Sequence, residues 1–206
     1  MRIPRIEYTG AMYHAYTRGD NKENIFLTNR DRESYLNTLR LCKERYEFEL
    51  YAYCLMANHV HLVLRTGEAP LSHIMHLLNS RYSKHFNRAY TRVGHVFQGR
   101  YQANLIEGDA GLLEATRYVH LNPVVIGLVK SPSQYRWSSM RAYLKAYSEH
   151  ATDLVDTSFV LSMVGKRPEV QRTRYQIYIQ EGVIRGRGKR QLMRAIAHFR
   201  SIKPGS

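Results

Sequence analysis

From Met12 to Arg18 (MYHAYTR) β-favouring side chains run up to a Gly-Asp-Asn turn at 19–21, which predicts a first strand. The period of the apolar positions then changes. Behind the capping residues Asn29-Arg30-Asp31, Tyr35, Leu36, Leu39 and Cys42 recur at helical spacing and predict a helix to about Tyr46. Residues 49–56 (ELYAYCLM) and 59–65 (HVHLVLR) predict two strands, joined as a hairpin across the short turn Ala57-Asn58. Pro70 opens a long helix to about Tyr90, with Leu71, Ile74, Leu77, Leu78 and Tyr82 on its apolar side. A glycine-containing loop from Arg92 to Arg100 leads to a fourth strand over 101–107 (YQANLIE). Asp109 then caps a helix to about Leu121, which Pro123 is expected to stop.

The order β-α-β-β-α-β is that of an α+β, ferredoxin-like (RRM-like) antiparallel sheet with two helices on one face. The helix from Asp109 is additional, and the open sheet face is where it can pack. Such a fold hosts many activities and decides none of them. Past Gly127 the pattern changes again. Residues 132–148 predict a turn and a short amphipathic helix, and 156–165 a capped helix ending at a glycine. The expected organisation is a domain over 1–130 followed by a helical, strongly basic extension over 131–206.

Charge sharpens this division. The chain carries 31 Lys+Arg against 17 Asp+Glu, a net +14, which predicts attraction to a polyanion. From Lys166 onward there are 11 Lys+Arg against only Glu169 and Glu181, a net +9. Glycines 182, 186 and 188 interrupt that stretch, so an arm with helical patches is expected there. The two cysteines, Cys42 and Cys54, form no Cys-x-x-Cys pair, which argues against a disulfide framework or a structural zinc site and fits a reducing compartment. No signal-peptide core and no apolar run of membrane-spanning length is present, so a cytoplasmic, nucleoid-associated protein without membrane contact is expected.

His59-Val60-His61 is the sharpest local feature. On a strand the two imidazoles project from one face while Val60, Leu62 and Leu64 point to the other. Such a pair can chelate a divalent cation, although a bare His-x-His is common and by itself more often marks two partly buried histidines bonded to backbone. On the helix from Asp109, Tyr118 and Asn122 stand at i and i+4, on one face. Asn122 can give a neutral oxygen ligand, and Tyr118 a phenol nucleophile. A phenol with a pKa near ~10 attacks poorly unless its proton is removed or a cation favours phenolate.

These residues carry a resemblance. Met56 to Leu64, around His59-Val60-His61, resembles the paired-histidine motif of the HUH endonuclease superfamily. The chain more closely resembles the REP-associated tyrosine transposases, its single-tyrosine branch. Matching stretches are Tyr13-His14, Arg18 to Asn21, Asn58 to Leu64, Gly94 to Tyr101, Arg117 to Val124 and Tyr135 to Tyr143. The resemblance implies cleavage and rejoining of single-stranded or hairpin (REP-type palindrome) DNA. Tyr118 would attack a phosphodiester to give a 5′-phosphotyrosine link and a free 3′-OH. It also implies Mg²⁺ or Mn²⁺ on His59 and His61. Asn122 matches the third ligand, which is glutamine in related insertion-sequence transposases; asparagine is one methylene shorter, so it would bind the metal directly or through a bridging water.

DNA contacts are expected from several basic and aromatic residues. Arg81, Lys84 and Arg88, with His85 and Arg92, form a stripe suited to the phosphate backbone. Arg18, Gln98, Arg100 and Tyr101 fall near the sheet ends and suit unpaired bases. Arg117, beside Tyr118, either steadies a phosphate or forms a salt bridge. His14 and His120 are expected to be structural or DNA-facing. Tyr118 can be supplied by the same chain or by a partner; with all four site residues on one chain, a monomer is favoured over a homodimer. Two other classes compete. A non-catalytic RRM-like nucleic-acid-binding protein or decayed transposase would need no paired histidines matched to Tyr-x-x-x-Asn. A small-molecule metal hydrolase would leave the charge unexplained.

Overall fold

A computed structural model of the protein describes residues 7–144 and 153–184. The four strands are β1 (Met12–Arg18), β2 (Glu49–Met56), β3 (His59–Arg65) and β4 (Gln102–Ile106), in the order β2-β3-β1-β4 and antiparallel throughout. This is the ferredoxin-like sheet that the sequence predicts, and β3 is one of its two central strands. Among the described residues no helix is long and apolar enough to cross a membrane.

Helices α1 (Asn29–Tyr46) and α2 (Leu71–Ala89) share one face of the sheet. The Thr28 hydroxyl and the Asp31 carboxylate close a capping box at the start of α1, which satisfies amides that would otherwise be orphaned. Leu36, Leu39, Ile74, Leu78 and Phe86 are buried beneath the pair. Asn79 reaches Thr17 (Nδ2 to Oγ1, 3.4 Å), and Thr17 pairs with Val60. That contact sets the level of α2. At 1.5 Å rise per residue, its last two turns run on past the sheet end where β1 finishes and β3 begins.

Helix α3 (Gly108–Val125) lies on the opposite face, across β2 and β3. It does not stop at Pro123: the proline sits inside the last turn, and Leu128 N reaches the Pro123 carbonyl at 2.9 Å. Proline removes only one amide donor, and near a helix end the turn closes without it.

The described part of the predicted extension is not an arm. Helices α4 (Met140–Tyr143), α5 (Thr157–Val164) and α6 (Pro168–Ile184) bury Tyr143, Val160, Leu161, Tyr175 and Ile179 in the same core as the sheet. Asp156 accepts from Leu50 N at 2.8 Å and pairs with Lys43 at 2.7 Å, tying the start of α5 to β2 and α1. Arg172 donates to the carbonyls of Ala142 and Tyr143, both at 2.8 Å. Gly182 marks a close approach of α6 to α3: a Cβ there would stand 2.7 Å from Leu121 Cδ1, the end of a side chain that would have to turn aside. The rest of the predicted basic stretch, 185–206, lies outside the described residues.

Candidate active site

The β1–β3 register builds the site. Tyr16 stands opposite His61 and Arg18 opposite His59, so His14, Tyr16, His59 and His61 share the sheet face under α3. Tyr118 comes down from α3 with its ring edge-on to both His14 and His61, each 5.4 Å away between centroids. The His59 and His61 rings are 4.9 Å apart and nearly perpendicular. One turn beyond Tyr118, the Asn122 amide nitrogen lies 3.4 Å from His61 Nε2. Tyr118, Asn122, His59 and His61 are therefore gathered by one chain.

Burial keeps the imidazoles uncharged. It lowers the His59 pKa to about 4, helped by the Arg18 cation, while a hydrogen bond with Asn122 pulls the other way. His61 is pushed well below the usual histidine value by burial and by its neighbours His14 and His59. Neutral imidazoles keep a lone pair for a cation. His59 Nδ1 donates to Asn58 Oδ1 at 2.7 Å, which leaves Nε2 as its acceptor. Among the described residues no three or more His, Cys, Asp or Glu side chains are grouped to hold a metal. A divalent cation here would take two imidazole nitrogens and, with the Asn122 amide turned to present its oxygen, a third donor, with places left for water and a phosphate oxygen. His61 and Asn122 are only 6% and 7% exposed, so access runs past the half-buried His59 and Tyr118.

Helix α3 is held from behind by α6. His120, two residues from Tyr118 and fully buried, meets Tyr175 Oη at 2.9 Å and Ser139 Oγ at 2.8 Å. Ser139 Oγ in turn accepts from Tyr53 N at 2.9 Å. Burial lowers the His120 pKa to about 3 and the His14 pKa to about 4. Both stay neutral in the fold but protonate near ~6.5 in the unfolded chain, so their contribution is complete above that pH and is lost as pH falls toward 4. The urea midpoint is expected to drop between pH 7.5 and 5, and less steeply in His120→Gln. A midpoint that stays flat would contradict the buried, neutral assignment.

The remaining expected contacts divide. Arg18 is exposed at the end of β1 rather than in a loop, and its carbonyl accepts from Gln98 N at 2.9 Å. That bond seats the exposed Gln98 and its loop neighbour Arg100 at the His59 end of the sheet. Arg81, Lys84 and Arg88 are exposed along α2, on the sheet face opposite α3. Tyr101 is not a stacking platform. It is 6% exposed and its hydroxyl donates to Glu7 Oε1 at 3.2 Å, since it closes the core where the loop enters β4. Arg117 takes the salt-bridge alternative: it pairs with Glu114 at 2.6 Å and lies 4.6 Å over the Tyr178 ring of α6. His14 is legible only through strand register. The alternation Tyr13-His14-Ala15-Tyr16 marks a face, but nothing local says that this face carries His61.

The sequence model of the family described as "Transposase IS200 like" matches residues 7–122, which include His14, His59, His61, Tyr118 and Asn122. A Haemophilus influenzae protein named for the REP-associated tyrosine transposases is 26% identical over 157 residues, covering 69% of this chain and 87% of that protein. A solved REP-associated tyrosine transposase bound to a REP hairpin has the same fold, with a TM-score of 0.60 at 20% identity over 77% of this chain and 95% of that one.

Proposed function

The chain belongs to the IS200-like transposase family, and from that premise we propose that it cleaves and rejoins single-stranded or REP-type hairpin DNA through a covalent link to Tyr118. The observation that carries this is the approach of Tyr118 to His61, 5.4 Å between ring centroids, with Asn122 one turn away. The Tyr118 phenolic oxygen attacks phosphorus in line and gives up its proton. The DNA 3′-oxygen departs with the bonding pair, is protonated to a free 3′-OH, and leaves a 5′-phosphotyrosine. A 3′-OH on the same or another strand then attacks that link and regenerates the phenol. His59, His61 and Asn122 would hold Mg²⁺ or Mn²⁺, which when bound neutralises charge on the non-bridging phosphate oxygens. The packing of α3 on its own sheet favours supply of Tyr118 in cis and a monomer.

Hairpin DNA as the partner is supported by the likeness to the solved hairpin complex, and the REP-associated branch by both named likenesses. The test is a denaturing gel of the protein with end-labelled hairpin oligonucleotides and Mn²⁺. A slow band that resists denaturation supports the reading, and its absence across hairpins and single strands argues for a binding protein without catalysis.

Two groups of cations should hold the backbone. Replacing Arg81, Lys84 and Arg88 by alanine is expected to weaken hairpin binding and to flatten log K against log salt by about 0.7–0.9 for each phosphate no longer neutralised. Residues 185–206 carry Arg185, Arg187, Lys189, Arg190, Arg194, Arg200 and Lys203 with no acidic residue. Truncation after residue 184 should act likewise. A cut after residue 165 is unsuitable, because it would remove Tyr175 and Ile179 from the core. An unchanged slope in both variants would refute these assignments.

A further inference from the structure

His14 is buried beside the site and takes no part in the steps above. It stands on β1 opposite Val63, diagonal to His61, and its Nε2 lies 3.0 Å from His61 Nδ1. Its ring is 7% exposed and faces the edge of Tyr118.

Two imidazole nitrogens at hydrogen-bond distance share one proton, and which ring carries it fixes what His61 offers on its far side. The neighbours decide. The Asn122 amide nitrogen, a donor only, is directed at His61 Nε2, so Nε2 is an acceptor. The His61 proton is then on Nδ1 and is donated to His14 Nε2. His59 repeats the arrangement: its Nδ1 donates to Asn58 Oδ1 at 2.7 Å, leaving the lone pair on Nε2. Each histidine of the pair is thus anchored through Nδ1 by a different neighbour.

We propose that His14 is a positioning residue, whose Nε2 accepts the Nδ1 proton of His61 and so keeps the His61 Nε2 lone pair aimed at the space shared with His59 and Asn122. This rests on the metal reading given above, because a lone pair there serves a cation. In the opposite arrangement His61 would present an N–H to that space and could not ligate. Partners that fix the distal nitrogen of a ligating histidine typically support metal affinity by about 10–100-fold.

The experiment uses the full chain with ¹⁵N-labelled histidine. Long-range ¹H–¹⁵N correlation in the metal-free protein at pH 7.5 reads the His61 tautomer, and Mn²⁺ affinity is read by electron paramagnetic resonance. Wild type is expected to show His61 as the Nδ1–H form. His14→Gln, whose Oε1 can accept the same proton, should keep that form and bind Mn²⁺ within about threefold of wild type. His14→Phe should lose the single tautomer and bind Mn²⁺ about 10–100-fold more weakly. A wild-type His61 protonated on Nε2 overturns the proposal without any variant. So does a His14→Phe protein that keeps both the Nδ1–H form and full Mn²⁺ affinity. Mn²⁺ binding undiminished in His61→Ala overturns the metal reading and the purpose assigned to His14, and the metal-free spectra tell this apart from failure of the pairing itself.

Discussion

Tyr118→Phe is expected to abolish the covalent protein–DNA adduct while leaving hairpin affinity within about twofold. The substitution removes one oxygen, the proposed nucleophile, and keeps the ring that packs edge-on against His14 and His61. Loss of the nucleophile in a covalent mechanism costs on the order of 10⁴–10⁶ in rate, because no neighbouring group replaces the bond it makes. The fold should survive, since Tyr118 is half-buried and its helix is held by the His120–Tyr175 bond and by packing on the sheet and on α6. Adduct yield on a denaturing gel and affinity on a native gel separate the two effects. A persistent adduct in the phenylalanine variant removes Tyr118 from the mechanism.

The second large effect is expected at the histidine pair. His59→Ala should reduce Mn²⁺-dependent cleavage by about 10²–10⁴, equivalent to the several kcal/mol that a cation contributes to transition-state charge. His61→Ala should do the same, with a loss of stability besides. His61 is buried against His14, so its removal leaves a cavity and an imidazole nitrogen without its partner, at a cost of about 1–3 kcal/mol. His59 is half-buried, so its variant is the cleaner probe. Both should still bind hairpin DNA in the presence of a chelator. Cleavage within a few-fold of wild type in His59→Ala would contradict the assignment.

Much of the site is legible in the sequence, for a physical reason. His59 and His61 are two residues apart on one strand, and Tyr118 and Asn122 are four apart on one helix, so local periodicity alone puts each pair on a face. Strand limits such as Met12–Arg18 and His59–Arg65 are equally sharp, because turn residues bound them. What local pattern does not supply is long-range. His14 meets His61 only through the β1–β3 register. Arg117 reads in sequence as either a phosphate contact or a salt bridge; Glu114 pairs with it, and Tyr178, far along the chain, packs against it. Tyr101 looks exposed at a loop end and is instead a core residue. The glycines near 182 read as interruptions of an arm, whereas Gly182 marks a close approach of α6 to Leu121. Pro123 reads as a stop, yet a helix end tolerates one missing donor.

The docking of α6 gives the helix that carries Tyr118 a second support. His120 on α3 reaches Tyr175 on α6 and Ser139 beside β2, and Tyr175 stacks on Tyr143 at 4.4 Å. Tyr118 therefore stands on a helix braced by the sheet on one side and by the C-terminal helices on the other. Rigid placement of a nucleophile against its target is a large part of what such a site must provide.

The central claim, that Tyr118 becomes covalently joined to a DNA 5′-phosphate, is tested most directly by mass spectrometry of the trapped adduct. Wild-type protein would be incubated with Mn²⁺ and a hairpin oligonucleotide, then digested with protease and nuclease. The expected result is a nucleotide joined through its 5′-phosphate to the peptide containing Tyr118, and to no other. A nucleotide found on a different residue, or a 3′-phosphate linkage, would contradict the account.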